Sequence, residues 1–350
     1  MRSQIDGRST VYNAITSDEK LSRIHKENKE LERDFLEYLS STNKSKETIK
    51  QYRANLHVFW CWNLEYNDNK RFTKLTKREL VRFQKHALDE WGWSPRRMRT
   101  VRATISSLSK YIENILDDEY EDYKAIIGKI EPPPDSEART KTVFKEEELN
   151  ALLDYLVEKK DYMKACALSL AINSGRRKAE LPRFKVGYFR PEFTICSGAL
   201  YKTPEMVQTK GRGEDGKPLF LYTLTAPFNP YLDLWLKERE RLGIVSQWLF
   251  PKRKHGAWLD EPIEISTLDS WARTFSKWLG KAFYWHSIRH FFTTKLVSYG
   301  IPAAVIQDVV GWESADMVNR YDDTDKDDRF EKYFGAEGIR KVEAGSLEKI

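Results

Sequence analysis

Cysteine is scarce in this chain, with three copies among 350 residues, at positions 61, 166 and 196. An odd and widely spaced set supports neither a disulfide framework nor a zinc knuckle. Long apolar runs are missing too: nothing approaches the roughly 20 residues of a membrane span. The opening stretch, MRSQIDGRSTVYNAITSDEK, has no signal-peptide apolar region. These absences read as a cytoplasmic protein with no membrane partner. Histidine is also rare, at six residues, and no internal repeat or low-complexity segment is visible.

What is present is typical of a soluble globular chain, 40% hydrophobic and 32% charged, and long enough for two domains. The net charge is only +6, but its distribution is uneven. Basic residues bunch in KRFTKLTKREL (70–80), SPRRMRTVR (94–102), SGRRK (174–178) and PKRKH (251–255). Acidic residues bunch in DDEYED (117–122) and DDTDKDD (322–328). Segregation of this kind suits a polyanionic partner.

The clearest boundary is KIEPPPDSEARTK, residues 129–141. Consecutive prolines cannot enter a helix and favour an extended stretch, so we read a linker there. Before it the pattern is helical, with segments over 17–39, 45–66, 76–91 and 94–116 forming a compact bundle. In the last of these, Ser94 suits the N-cap and Pro95 the first helical position. Met98, Val101, Ile105, Leu108, Ile112 and Ile115 then make one apolar stripe. Arg96, Arg97, Arg99, Arg102 and Lys110 fall off it, as either a solvated face or a binding face. After the linker, residues 144–175 are helical and 186–224 read as a small antiparallel sheet. Helical patterns resume from about residue 229 to the end. The expected fold class is mainly α (α+β), a helical N-terminal domain followed by a mostly helical domain with a small antiparallel β-sheet.

The stretch YWHSIRHFFTTKL (284–296) sets His286, Arg289 and His290 on one helix face. A zinc-protease helix needs Glu directly after the first His; here that residue is Ser287. No Cys or carboxylate stands at ligand spacing, so no metal and no cofactor are expected. A buried His and Arg satisfying core polar groups would fit the stretch alone. It has company, however. Trp312 follows His286 by 26 residues, within VVGWESADMVNRYDD, and Tyr321 follows Trp312 by nine. Upstream lie AINSGRRKAEL (171–181) and VQTKGRGEDGKPLF (207–220), the latter carrying a lysine at the mouth of a hairpin pattern.

This order of motifs resembles the tyrosine recombinases, the family of phage integrases, Cre and the Xer proteins, from about residue 25 to about residue 335. The resemblance implies a division into an N-terminal extension (1–24), a helical core-binding SAM-like DNA-binding domain (25–128), the proline-rich linker (129–141) and a catalytic domain with a C-terminal tail (142–350). SGRRKAEL aligns Gly175, Glu180 and Leu181 with the family's first-arginine pattern. That makes Arg177 the implied catalytic arginine, with Ser174, Arg176 and Ala179 departing from the usual choices. TKGRG matches the hairpin lysine at Lys210, better than Lys202 or Lys217 do. His286, Arg289 and His290 meet His-x-x-Arg-His in full. Trp312 stands where many members have a second catalytic histidine, as in Cre, and Tyr321 fills the nucleophile position.

The implied activity is site-specific DNA recombination through a 3′-phosphotyrosine, with a 5′-hydroxyl released. A tyrosine conserves the bond energy by exchanging one phosphodiester for another. Arg177 and Arg289 would clamp the non-bridging oxygens, and Lys210 would protonate the departing 5′-oxygen. His286 would assist the nucleophile, and Trp312 would offer its indole N–H. Glu180 and His290 would support these groups from behind. Arg96, Arg97, Arg99 and Arg102 would then face DNA. The implied partners are double-stranded DNA with inverted-repeat core sites, a homo-tetramer joined by the segment 329–345, and accessory directionality factors. The implied location is the nucleoid. A Xer-like resolvase would use the same residues; a type IB topoisomerase and an inactive DNA-binding protein fit less well.

Overall fold

The computed structural model describes residues 11–134, 142–209 and 216–322, together with short strands at 334–335 and 338–339. Its contacts divide the chain into two compact units, one running to the proline stretch and the other following it.

The first unit is helical throughout: α1 (Val11–Ile15), α2 (Asp18–Ser22), α3 (Lys26–Ser41), α4 (Lys46–Tyr66), α5 (Lys77–Asp89) and α6 (Pro95–Ile115). The helix expected over 17–39 is broken at residues 23–25. Asn69 takes up the main-chain groups that the break exposes: the His25 N–H donates to its Oδ1 (3.0 Å), and its Nδ2 donates to the Arg23 carbonyl (2.9 Å). A side chain from 44 residues away replaces helical hydrogen bonds that no local signal would have removed. Helix α5 opens with a capping box, Thr76 and Glu79 each accepting from the other's N–H. Helix α6 begins as its sequence requires, the Arg97 N–H donating to Ser94 Oγ at 3.2 Å ahead of Pro95. Its stripe from Met98 to Ile112 is buried, while Ile115 is exposed because the helix outlasts the core beneath it.

The second unit holds α7 (Glu146–Glu158), α8 (Tyr162–Ser174), α9 (Thr225–Arg241), α10 (Ile265–Leu279), α11 (Trp285–Ser298), α12 (Ala303–Val310) and α13 (Asp316–Tyr321). The expected sheet is present and antiparallel. Strands β1 (Thr194–Ile195), β2 (Leu200–Lys202) and β5 (Tyr222–Leu224) form one piece, in the order β1-β2-β5. Strands β3 (Val207–Thr209) and β4 (Lys217–Leu219) form a separate hairpin. A further hairpin, β6 (Pro251–Lys254) with β7 (Ala257–Pro262), interrupts the stretch expected to be helical. Its turn is set by His255 (φ 48°) and Gly256 (φ 85°), a left-handed pair of the kind that tight hairpins use.

Helix α8 is the axis of this unit. From Ala165 to Ser174 it is buried without interruption, so it shows no amphipathic period and is packed all round. It ends at Gly175 in the left-handed region (φ 59°). A Cβ there would also stand 2.4 Å from the Phe292 ring on α11. Glycine is thus required twice over, by the turn and by the closeness of α11. Beside it, Leu224, Phe292, Leu296, Ile306, Val310, Trp312, Val318 and Tyr321 form a small core of their own. Among the described residues no helix is long and apolar enough to cross a membrane.

Candidate active site

Three segments converge on one point: the turn after α8, one face of α11, and the α12–α13 corner. The turn holds Arg177 against Glu180. The Arg177 main-chain N–H donates to Glu180 Oε2 (3.1 Å), and its Nη1 donates to Glu180 Oε1 (3.0 Å). Glu180 is buried, while Arg177 keeps 28% of its side chain exposed. Burial alone would raise the Glu180 carboxyl, but Arg176, Arg177 and Arg289 outweigh it and hold it below the usual carboxylate range. It is therefore an ionised anchor that fixes one part-exposed guanidinium.

Arg289, on α11, is fully buried. Its Nη1 donates to the Gly175 carbonyl (2.9 Å) and its Nη2 to the Val310 carbonyl (3.1 Å). Burial, then the nearby Arg177 and Arg176, push its pKa down to about 9. Its Nε–H has no hydrogen-bond partner among the described residues. The guanidinium lies 5.0 Å from the centre of the Trp312 ring, within cation–π range. Trp312 is buried as well, and its indole Nε1–H also lacks a partner among the described residues. Unsatisfied buried donors are costly in a folded protein, and here two belong to side chains in contact with one another.

The Tyr321 hydroxyl lies 3.1 Å from His286 Nε2. Its ring stacks on His290 (4.2 Å between centroids, 21°) and tilts against Trp312 (4.7 Å). Its main-chain carbonyl accepts from Thr294 Oγ1 at 3.3 Å. The i and i+4 histidines of α11 thus divide the work: His286 meets the hydroxyl, and His290 supports the ring. Arg177, Glu180, His286, Arg289, His290, Trp312 and Tyr321 all come together in this cluster. Lys210 lies outside the described residues. The β3–β4 hairpin on either side of it does reach the site, since Leu219 fills the space that a Cβ on Gly311 would need.

The four arginines of α6 meet different fates. Arg96 is exposed. Arg97 donates to Asn55 Oδ1 (2.7 Å) and lies over the Trp93 ring. Arg99 Nε donates to the Pro133 carbonyl (2.7 Å). Arg102 is buried, giving its donors to Gln84 Oε1 (2.7 Å) and to the carbonyls of Ile127 (3.2 Å) and Ile130 (2.5 Å). Its guanidinium thus fastens the end of the unit to α6. Arg176, which departs from the family pattern, is given no role by the resemblance. It is fully buried, with its pKa pushed down to about 10 by burial. The signal was visible as a charged residue where the family pattern has a hydrophobic one.

Comparison with known proteins identifies the family. Residues 142–328 match the Phage integrase family, and residues 31–122 match the Phage integrase N-terminal SAM-like domain. The chain belongs to the phage integrase family, the tyrosine recombinases. The SPbeta prophage-derived recombinase-like protein YomM of Bacillus subtilis (strain 168) is 30% identical over 256 residues, 72% of each chain. The XerH site-specific recombinase bound to a palindromic difH substrate shares the fold at a TM-score of 0.59 and 20% identity, over 81% of this chain and 78% of that one. A lambda integrase dimer bound to a COC′ core site gives a TM-score of 0.59 at 14% identity, over 90% and 79%.

Proposed function

We propose that this chain is a metal-independent DNA strand transferase that cuts and rejoins its site through a 3′-phosphotyrosine on Tyr321. The observation that carries the reading is the Tyr321 hydroxyl 3.1 Å from His286 Nε2, beside buried donors on Arg289 and Trp312 that lack partners among the described residues. His286 accepts the phenolic proton as the oxygen attacks phosphorus. The bond to the 5′-oxygen breaks, and Lys210 supplies the proton that oxygen needs. Arg177, Arg289 and the Trp312 N–H stabilise the charge gathering on the non-bridging oxygens. Arg289 is fully buried against the Trp312 ring, so in this reaction its guanidinium turns to meet the phosphate.

The division into an extension (1–24), a core-binding domain (25–128), a linker (129–141) and a catalytic domain (142–350) belongs to the same proposal. Arg96, Arg97 and Arg99 would contact double-stranded DNA, first through phosphates. A homo-tetramer on inverted-repeat core sites fits a family in which lambda integrase has been solved as a tetramer on a Holliday junction. Identity to a prophage-derived protein supports integration or excision of a mobile element over replicon resolution. The segment 329–345, expected to join subunits, is described only at β8 (Phe334–Gly335) and β9 (Gly338–Ile339). The test is a nicked duplex carrying the repeat that bounds the element encoding this chain. In excess EDTA it should trap a denaturation-resistant 3′-adduct that maps to Tyr321, and Tyr321→Phe should abolish the adduct while still binding DNA. An adduct on another tyrosine, or cleavage that needs magnesium, would overturn the proposal.

A further inference from the structure

Arg176 has no part in the chemistry above, yet it is a wholly buried arginine one residue from a proposed catalytic one. Its hydrogen bonds explain why it is there. Helix α8 ends at Ser174 and α12 ends at Val310, and the last carbonyls of any helix have no intrahelical donor. Arg176 Nε donates to the Ser174 carbonyl at 3.0 Å, and its Nη2 donates to the Val309 carbonyl. Arg289 repeats the pattern one residue along, from Gly175 to Val310. Two guanidiniums therefore bridge consecutive carbonyls of α8 and its cap to consecutive carbonyls of α12. Both stand where helix C-termini favour a cation.

The residues after α12 are those the chemistry needs. Gly311 adopts the left-handed turn (φ 75°), and the Trp312 N–H folds back on the Gln307 carbonyl at 3.0 Å. From there the chain runs to Tyr321, whose ring packs on Trp312. We infer that Arg176 is a positioning residue for strand cleavage, strapping the end of α12 to the end of α8 so that Trp312 is held against Tyr321 and Arg289. The inference rests on the proposed function. It also assigns the two arginines separate duties. Arg289, whose Nε–H has no partner among the described residues, turns toward a phosphate during the reaction, whereas Arg176, whose Nε donates to the Ser174 carbonyl, keeps α12 in place while it does.

Arg176→Met keeps the length and packing and removes the donors; Arg176→Lys keeps the charge but presents a point donor that cannot span both carbonyls. Because a displacement of about 1 Å can cost on the order of 100-fold in rate, Arg176→Met should slow single-turnover formation of the Tyr321 adduct by about 30-fold or more. Affinity for the same DNA should change by less than about threefold, since no phosphate donor is lost. Arg176→Lys should fall between native and Met. If Arg176 acts through Trp312, then Arg176→Met with Trp312→Phe should be little slower than the worse single variant. Multiplied losses, or a native rate in Arg176→Met, would overturn the inference.

A second readout needs no DNA and serves even if a variant is too slow to follow. With 5-fluorotryptophan at the 11 tryptophans, the Trp312 signal is the one absent from Trp312→Phe. In Arg176→Met or Arg176→Lys that signal should shift or broaden while those of the N-terminal unit stay put; an unmoved Trp312 signal refutes the strap. A native chain that forms no Tyr321 adduct would instead refute the proposed function, so the two failures are told apart.

Discussion

Replacing Trp312 with phenylalanine should separate stability from catalysis. The indole N–H is buried without a partner among the described residues, and leaving such a donor unsatisfied costs about 1–3 kcal/mol. Phenylalanine removes that cost but fills less of the space between Tyr321 and Arg289, and truncating a buried ring costs a similar amount. The opposing terms leave a net change in folding stability of order 1 kcal/mol. The reaction has no such compensation. If the N–H meets the scissile phosphate, its loss resembles removal of one oxyanion donor, about 3 kcal/mol or on the order of 100-fold in rate. Trp312→His keeps a donor in the same place and should retain substantial activity. Urea unfolding reports the first quantity, and single-turnover adduct formation on the nicked duplex the second. Equal losses in the Phe and His variants, or a native rate in Trp312→Phe, would show that the ring packs and does nothing more.

Arg96→Glu should weaken DNA binding with an unchanged circular dichroism spectrum, because Arg96 is exposed on α6. Arg102→Ala should instead destabilise the fold by about 2–3 kcal/mol in urea titration, since it strips buried acceptors of a charged donor; a folded Arg102→Ala with selectively weak binding would return that residue to the DNA face. DNA affinity should fall at least tenfold between ~50 and ~200 mM salt, read by fluorescence anisotropy, and a flat response would argue against phosphate contacts. Glu180 has a folded pKa below its ordinary value, so its contribution is present above the unfolded pKa of about 4.3 and is lost as pH falls through the lower folded value. Glu180→Gln should therefore lower stability near neutrality, by about 3 kcal/mol for one broken partner of a buried pair. The difference from native should shrink as pH drops from ~5 toward ~2, and urea midpoints that stay parallel over that range would contradict it.

The parts of the fold legible in the sequence were those set by local periodicity. The stripe of α6 and its Ser94–Pro95 start are fixed by 3.6-residue spacing and by backbone chemistry, and both stand in the structure. The His286–Arg289–His290 face was legible for the same reason, since i, i+3 and i+4 must share a side of any helix. What could not be read depended on partners distant in sequence. Arg102 looks like surface on a helical wheel; only the carbonyls of Ile127 and Ile130, 25 and 28 residues on, make burial tolerable. The break before α3 needs Asn69, and the β6–β7 hairpin hangs on a two-residue turn within a stretch of helical composition. Arg176 was the hardest, because its meaning lies in a carbonyl 133 residues away.

The charge balance of the site connects these observations. Glu180 sits among Arg176, Arg177 and Arg289, three positive charges against one negative, or 3 − 1 = +2. Arg176 and Arg289 are both buried, where an uncompensated charge is strongly destabilising. The depressed values of Arg289 and Arg176, about 9 and about 10, register that tension: burial disfavours each charge, and for Arg289 the neighbouring guanidiniums add to it. A phosphodiester brings one negative charge. After attack by a deprotonated tyrosine, the five-coordinate phosphorus carries two. The proposed reaction thus gathers its second negative charge beside Arg177 and Arg289, and only interactions that strengthen in the transition state speed the chemical step. The Arg289 Nε–H and the Trp312 indole N–H, unpartnered among the described residues, would add further donors to that charge in the proposed reaction. In the proposed reaction, the Arg289 charge that burial disfavours is the one the phosphate would meet, so what opposes that charge in the fold is what the reaction would use.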